Sequence, residues 1–105
     1  MNTEKLALAQ FTRNPDWPKV RRLFLKQHNQ CEVCGITKRL TAHHEKPYQW
    51  NPELEMEMEN LITLCERCHL FVGHLGSWLS YNVNVREDAI KWNAKITSRP
   101  KWRKM

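Results

Sequence analysis

Two Cys-x-x-Cys pairs constrain the fold of this chain more than any other feature. The first pair is Cys31 and Cys34, and the second is Cys65 and Cys68. Each pair offers two thiolates from one turn, and two such turns complete a tetrahedron around zinc. In a reducing cytoplasm this spacing predicts a metal site rather than disulfides. Because a four-sulfur site has no open coordination position, we expect a structural zinc here.

Size and charge fit a small domain with a polyanionic partner. The chain has 105 residues, enough for one domain whose modest core a metal would help to stabilise. Lys and Arg outnumber Asp and Glu by 17 to 11, and a net charge of +6 suits nucleic acid. Many small proteins are as basic without binding DNA, so charge alone leaves this open. No signal segment or membrane-spanning run is visible, which predicts a cytoplasmic protein without a membrane partner.

A helix is predicted over about residues 16–29, before the first cysteine pair. Asp16 is a good N-cap and Pro18 fits the first turn. Apolar residues recur at helical spacing on one face, namely Trp17, Val20 and Phe24.

A second flanking helix is predicted over about residues 84–98, ended by Pro100. Asn84 and Glu87 resemble a capping box at its start. Its apolar stripe consists of Val85, Ala89, Trp92 and Ile96. Three tryptophans are expected to fill the core, namely Trp17, Trp78 and Trp92.

Between the flanking helices, the pattern predicts two short strands and a helix. The strands cover Leu40 to His44 and Leu61 to Leu64, and the helix runs from near Cys65 through His69. Residues 53–59 alternate Glu with apolar residues, which is typical of a strand, yet Glu and Met favour a helix. Both interpretations of that segment stay open.

Histidines form a second group of metal ligands within the same stretch. His43 and His44 are consecutive on a strand, so their side chains start toward opposite faces and need different roles. His69 and His74 are five residues apart, which in a regular helix leaves them about 140° apart. They can share a metal if the helix ends at Gly73 or contains a π-bulge.

These residues together carry a family resemblance. The stretch from Asn60 to His69, with the cysteine and histidine pairs before it and His74 after it, resembles the HNH endonucleases with a ββα-metal (His-Me finger) fold. The similarity is strongest to the zinc-stabilised, phage-type branch and covers about residues 31–75. It implies an α+β fold: one HNH nuclease domain over residues 1–105, with a ββα-metal core at 31–75 and flanking helices.

The resemblance also implies a role for each motif residue. It makes His43, His69 and His74 the ligands of a catalytic divalent cation. It makes His44 the general base and Asn60 the residue that braces the loop holding that base. Colicin-type members space the two helix histidines by four residues, whereas here the step is five.

The implied activity is metal-dependent hydrolysis of DNA phosphodiester bonds, leaving a 5′-phosphate and a 3′-hydroxyl. A neutral imidazole can deprotonate the attacking water, and a cation can stabilise the phosphate and the leaving oxygen. Mg²⁺ or Mn²⁺ is expected in catalysis, while three imidazoles also suit Zn²⁺ or Ni²⁺. Phage members often act beside the DNA-packaging terminase, which makes a terminase a candidate partner and the host cytoplasm the expected location.

Basic residues outside the motif are candidates for DNA contact. Lys19, Arg22 and Lys26 repeat at helical spacing, which suits either a phosphate backbone or a solvated helix face. Lys46, two residues after the histidine pair, is a fourth candidate. The basic tail 99–105 suits either a nucleic-acid arm or a frayed end.

Two other functions compete with the nuclease. A non-catalytic, zinc-stabilised DNA-binding module would explain the cysteines and the charge, and a structural two-zinc protein would bind other proteins. The DNA-binding module gives no reason for His43, His44, Asn60, His69 and His74 to occur together, and metal-dependent cleavage of plasmid DNA would separate all three functions.

Overall fold

The structure is a computed structural model that describes residues 14–47 and 50–98. The basic tail 99–105 and Pro100 lie outside the described residues, so the predictions made for them stay predictions. Within the described part, no helix is both long and apolar enough to cross a membrane. The elements in chain order are α1 (Trp17–Gln27), β1 (Leu40–His44), β2 (Leu61–Cys65), α2 (Glu66–Cys68), a π-helical turn (His69–Gly73) and α3 (Val85–Thr97).

The predicted α+β class is confirmed, with an antiparallel pair of strands at its centre. β1 covers the residues predicted for it, and β2 extends one residue past its predicted end to Cys65. In the strand pairing His43 lies opposite Ile62, and His44 lies opposite Leu61. The chain then turns directly into α2, so two strands and a helix place both cysteine pairs and all four motif histidines around one small sheet.

The two faces of the sheet bury different clusters of side chains. On one face, Leu61 packs with Trp17 and Phe24 of α1. On the other face, Ile62 and Leu64 belong to a cluster that reaches the cysteines, the π-helical turn and α3. Because neighbouring strand residues point to opposite faces, His44 lies on the α1 side of the sheet and His43 lies on the side of the π-helical turn.

The flanking helices form where they were predicted, but their caps differ from the prediction. Asp16 and Asn84 occupy the N-cap positions, and neither side chain makes a capping hydrogen bond. Instead, an asparagine two residues earlier accepts from the backbone amide of each: Asn14 Oδ1 from Asp16 at 2.9 Å and Asn82 Oδ1 from Asn84 at 2.9 Å. The capping-box prediction for Asn84 and Glu87 is therefore wrong, since these local turns use another asparagine.

The core is built from smaller side chains than the sequence suggested. Trp17 is buried as predicted, with 8% of its surface exposed, but Trp78 and Trp92 are 60% and 47% exposed. The prediction that those two tryptophans fill the core is wrong. Val85 and Ala89 are almost completely buried on α3 and allow the helix to approach the cysteine cluster closely.

The segment before β2 is neither a strand nor an α-helix. It forms two short 3₁₀ turns, Pro52–Leu54 and Met58–Asn60. Between them Glu55 is buried, and its Oε1 accepts a hydrogen bond from the Asn14 backbone amide at 3.1 Å. This long-range contact fixes the loop against the start of α1, which a local pattern of alternating residues could not reveal.

Candidate metal centres

The four cysteine sulfurs form a compact cluster. All four lie within 4.8 Å of one another, and Cys34 Sγ lies 3.7 Å from Cys65 Sγ. Tetrahedral coordination with Zn–S bonds near 2.3 Å places sulfurs about 3.8 Å apart. All four cysteines are free of disulfides. The cluster is thus compatible with the structural zinc that the sequence predicts.

Local backbone geometry aims the sulfurs at one point. Gly35 has a φ of 82°, and its amide donates to the Cys31 carbonyl at 3.0 Å, which closes the first turn. In the second turn, Cys65 ends β2 and its sulfur accepts a hydrogen bond from the Cys68 amide at 3.4 Å. Each pair therefore meets the metal position from a tight turn anchored to the sheet.

The thiols of the cluster differ in acidity. Burial opposes ionisation of Cys31, but hydrogen bonds from the backbone of Cys34, Cys65 and Val33 outweigh it and lower its pKa to about 7. Burial raises the pKa of Cys68, and the other cysteine thiolates raise it further. A metal is what allows four such thiolates to coexist, because coordination removes the thiol proton.

Three histidines form a second cluster, where β1 meets the π-helical turn. The ring nitrogens of His43, His69 and His74 lie within 4.8 Å of one another. The Nε2 atoms of His69 and His74 are 3.3 Å apart. Two imidazole nitrogens at 2.0–2.1 Å from one tetrahedral metal would be separated by about 3.3 Å. The spacing of these donor atoms therefore fits one shared cation of a first-row transition metal.

A π-helical turn brings His69 and His74 together. The His74 amide donates to the His69 carbonyl, five residues back, at 3.1 Å, and also to the Leu70 carbonyl at 3.2 Å. A turn closed by an i→i+5 bond is wider than an α-helical turn and returns after five residues to the same side of the axis. The prediction that a π-bulge could join this pair is confirmed.

The close approach of His43 to this turn depends on Gly73. A Cβ atom at Gly73 would lie 3.0 Å from His43 Cε1 and 3.2 Å from His43 Nδ1. Gly73 is buried and has no side chain to displace the ring. The sequence suggested this glycine as a helix end, but in the structure it leaves space for the His43 ring.

The histidine cluster is electrostatically prepared to receive a cation. Burial, and then the neighbouring His69, His74 and His44, lower the pKa of His43 to about 3. Burial, and then the neighbouring His74 and His44, lower the pKa of His69 to about 4. Both rings are therefore neutral at physiological pH, with lone pairs available. His43 Nε2 is also buried without a hydrogen-bond partner among the described residues, as expected for a nitrogen that ligates a metal.

His44 lies on the opposite face of the strand, as predicted. Its Nε2 lies 2.9 Å from the Glu55 carbonyl oxygen, and its ring lies 4.5 Å from that of Trp17. Because a carbonyl oxygen can only accept, Nε2 carries the proton and Nδ1 is left as the basic nitrogen. His44 lines the same cleft as the histidine cluster, so Nδ1 is the nitrogen that can act as a base there.

Asn60 connects the loop after β1 to the start of β2. Its Oδ1 accepts from the Lys46 amide at 2.9 Å, and its Nδ2 donates to the Lys46 carbonyl at 3.1 Å. Nδ2 also lies 3.4 Å from the Leu54 carbonyl, next to the residue whose carbonyl holds His44. A single buried side chain thus ties the segment directly after the histidine pair to the loop whose backbone holds His44.

The histidines open into a cleft of about 820 Å³. Of the four basic residues predicted to contact DNA, Arg22 lines this cleft together with Arg21, which the sequence reasoning missed. Lys19, Lys26 and Lys46 are exposed but are not among the lining residues. Since α1 packs against β1, Arg21 and Arg22 face the cleft, whereas Lys19 and Lys26 of the predicted stripe do not line it.

Sequence reasoning also missed two residues of the loop after the π-helical turn. Tyr81 stacks on His43 with ring centroids 5.1 Å apart. Asn82 is buried, and its Nδ2 donates to the Val72 carbonyl at 2.9 Å and to Asp88 Oδ2 at 2.8 Å. Neither residue belongs to a ligand pattern or a helical stripe, so no local signal could have identified them.

Comparison with known proteins points to one family. Residues 31–74 match the family model described as HNH endonuclease, which covers both clusters and Asn60. Searches of curated proteins and of solved structures found no significant match. The resemblance predicted from the sequence is thereby confirmed, and this family suggests nuclease activity.

Proposed function

We propose that this chain, whose residues 31–74 match the HNH endonuclease family, is a metal-dependent endonuclease that hydrolyses DNA phosphodiester bonds. One observation supports the proposal above all. The ring nitrogens of His43, His69 and His74 converge in an open cleft that a fourth imidazole, His44, also lines. An open metal site beside a basic imidazole is the arrangement that metal-assisted hydrolysis requires.

His44 acts as the general base. Its Nε2–H is held by the Glu55 carbonyl, which fixes the tautomer and leaves Nδ1 to remove a proton from the attacking water. The Trp17 ring packs against the imidazole and restricts its rotation. Asn60 keeps the supporting loop in place through Lys46 and Leu54, so its role is positional.

His43, His69 and His74 hold the catalytic cation. When bound, a divalent cation supplies Lewis-acid stabilisation of the phosphate and of the leaving 3′ oxygen. His43 is buried on the strand, whereas His69 and His74 are partly exposed and face the cleft. A cation held by these three residues would be open to the cleft, where water and phosphate oxygens could complete its ligands, which would suit Mg²⁺ or Mn²⁺ during turnover, with Zn²⁺ or Ni²⁺ as alternatives.

Arg21 and Arg22 attract the DNA backbone. Both line the cleft that contains the histidines, and guanidinium groups pair well with phosphate oxygens. The net charge of +6 adds a sequence-independent attraction. A phage terminase as protein partner and a cytoplasmic location follow from the resemblance and the composition alone.

A non-catalytic, zinc-stabilised DNA-binding module is the alternative. It accounts for the cysteine cluster and for the basic charge. It gives no reason for a buried His43 Nε2 that has no hydrogen-bond partner within residues 14–47 and 50–98, for the space that Gly73 leaves around that ring, or for the hydrogen bond that fixes His44. These three features favour the nuclease.

Nicking of supercoiled plasmid tests the proposal. The parent protein should cut with Mg²⁺ or Mn²⁺ and stop when a chelator is added. His44→Ala should lose about 10²–10⁴-fold in rate, the usual contribution of a general base, while keeping its fold and DNA binding. His28→Ala is the matched control, because His28 is exposed at the end of α1 and should leave the rate unchanged. Near-normal nicking by His44→Ala would refute the assignment of the base.

A further inference from the structure

Two tryptophans line the cleft while exposing most of their surface. Trp50 is 72% exposed and Trp78 is 60% exposed, and both belong to the wall of the cleft that contains the histidines. Leu79, next to Trp78, is fully exposed and lines the same wall. Indoles usually bury most of their area, so two that face an open cleft indicate a partner with flat apolar surfaces.

Trp78 lies directly beside the metal-binding rings. Its ring centroid is 5.2 Å from that of His69 and 4.9 Å from that of His74. A phosphate held at these histidines would therefore bring the attached nucleotide against the indole. The indole of Trp78 can stack on a base only if that base is not already stacked between its neighbours in the strand.

Paired DNA does not offer such a base. Successive bases of a duplex are stacked about 3.4 Å apart along each strand, which leaves no gap for an indole. Aromatic side chains reach base faces where the strand is single or where a step has been opened. An exposed indole beside the reacting phosphate thus selects for unstacked nucleotides.

We propose that the cleft binds DNA with unpaired nucleotides next to the phosphate that is cut, with Trp50 and Trp78 stacking on the exposed bases. This inference rests on the proposed nuclease function and names its substrate class. The charge of the cleft agrees with it, because Arg21 and Arg22, which also line the cleft, can pair with the strand's phosphates. An apolar peptide would leave those two guanidinium groups without a partner.

Binding measured without cleavage tests the inference. In a His44→Ala background, fluorescence anisotropy compares a labelled single-stranded oligonucleotide with the fully paired duplex of the same sequence. We expect the single strand to bind more tightly. Trp50→Ala and Trp78→Ala should each weaken single-strand binding by about 5- to 150-fold, the loss of one base–aromatic stack, and change duplex binding far less.

Two further variants separate stacking from damage to the site. Trp78→Phe keeps a flat ring beside the histidines and should retain most of the single-strand affinity. Trp92→Ala removes an indole that is also half-exposed, at 47%, but lies on α3 next to Lys95 and is not among the residues lining the cleft. It should leave binding unchanged, and thermal unfolding should show that all variants are folded.

Equal binding of single strand and duplex, or unchanged single-strand binding in Trp50→Ala and Trp78→Ala, would overturn the inference. Because binding is scored apart from cutting, its failure is distinguishable from failure of the nuclease proposal. If the protein nicks plasmid but binds single strands no more tightly than duplex, the nuclease proposal stands and the inferred substrate class is wrong. If it binds single strands but never cuts DNA, the nuclease proposal is wrong.

Discussion

At the scale of single residues, the histidine site depends on the absence of a side chain at Gly73 and on the Tyr81 ring stacked on His43. Gly73 lies where a Cβ would come 3.0 Å from His43 Cε1. Tyr81 stacks on that ring, and its Oη is buried without a partner in the described part of the chain. The ligands follow from motif spacing, but these neighbours arise from contacts between distant segments, which the sequence pattern does not encode.

Gly73→Ala should weaken cation binding at the histidines while sparing the cysteine zinc. The new methyl group would displace the His43 ring by a few tenths of an ångström, because a Cβ contact of 3.0 Å is tighter than nine in ten real ones. Metal analysis after dialysis should show zinc retained at the cysteines and less cation at the histidines than in the parent.

Gly76→Ala provides the matched control for that variant. Gly76 has a φ of 86°, and a Cβ added there would meet nothing within 4 Å. The substitution therefore costs about 1–2 kcal/mol of backbone strain and touches no ligand. Its histidine site should still bind a cation. Equal cation binding in Gly73→Ala and the parent would contradict the steric account.

Tyr81→Phe should leave the melting temperature unchanged or raise it. Burial raises the pKa of the Tyr81 phenol, and the nearby Glu45 carboxylate raises it further, so the hydroxyl stays protonated and buried without a partner among the described residues. Removing an unsatisfied buried group costs little or stabilises. Tyr81→Ala, which also removes the ring stacked on His43, should lower the melting temperature clearly. A loss above about 1 kcal/mol in Tyr81→Phe would mean that the hydroxyl is paired.

At the scale of elements, the π-helical turn and α3 form one unit through Asn82. The Asn82 amide donates to the Gly73 carbonyl at 3.0 Å, and its side chain joins Val72 to Asp88. Strand and helix positions were predictable from periodicity, because each element alternates or repeats along its own length. The hydrogen bonds that link one element to another could not be predicted, since no local pattern distinguishes Asn82 from an ordinary loop residue.

Asn82→Ala should destabilise the protein by about 1–3 kcal/mol, because it leaves the buried Val72 carbonyl unpaired. Asn84→Ala should cost less than about 0.5 kcal/mol, since Asn84 is exposed and its side chain makes no capping bond. Urea unfolding of both variants measures the difference. A larger loss of stability in Asn84→Ala than in Asn82→Ala would instead support a capping box at Asn84 and Glu87.

At the scale of the whole molecule, the cysteine and histidine clusters lie in different surroundings, which suits the structural and catalytic roles proposed for them. The cysteine cluster belongs to the buried core with Val33, Leu64 and Val85, whereas the histidine cluster opens into the cleft. The division itself was predictable, since a complete cysteine set and an incomplete histidine set imply different roles. The residues that line the cleft could not be predicted together, because Arg21, Trp50 and Trp78 come from segments far apart in sequence.

Cys65→Ser should unfold the protein, and His69→Ala should not. Cys65 is a buried sulfur donor at the end of β2, and structural zinc supplies folding free energy directly. His69 is partly exposed at the cleft and should be removable with little loss of stability. Thermal unfolding followed by circular dichroism compares the two. A parent-like melting curve for Cys65→Ser would contradict a structural zinc.

Graded metal removal, followed by nicking activity and near-UV circular dichroism in the same sample, tests the central claim most directly. A weak chelator should first abolish nicking while the dichroism and the melting temperature stay unchanged, and added Mg²⁺ or Mn²⁺ should restore cutting. A stronger chelator should then unfold the protein. Loss of activity and structure in a single step, or nicking that persists after the metal is gone, would contradict a closed structural centre beside an open catalytic one.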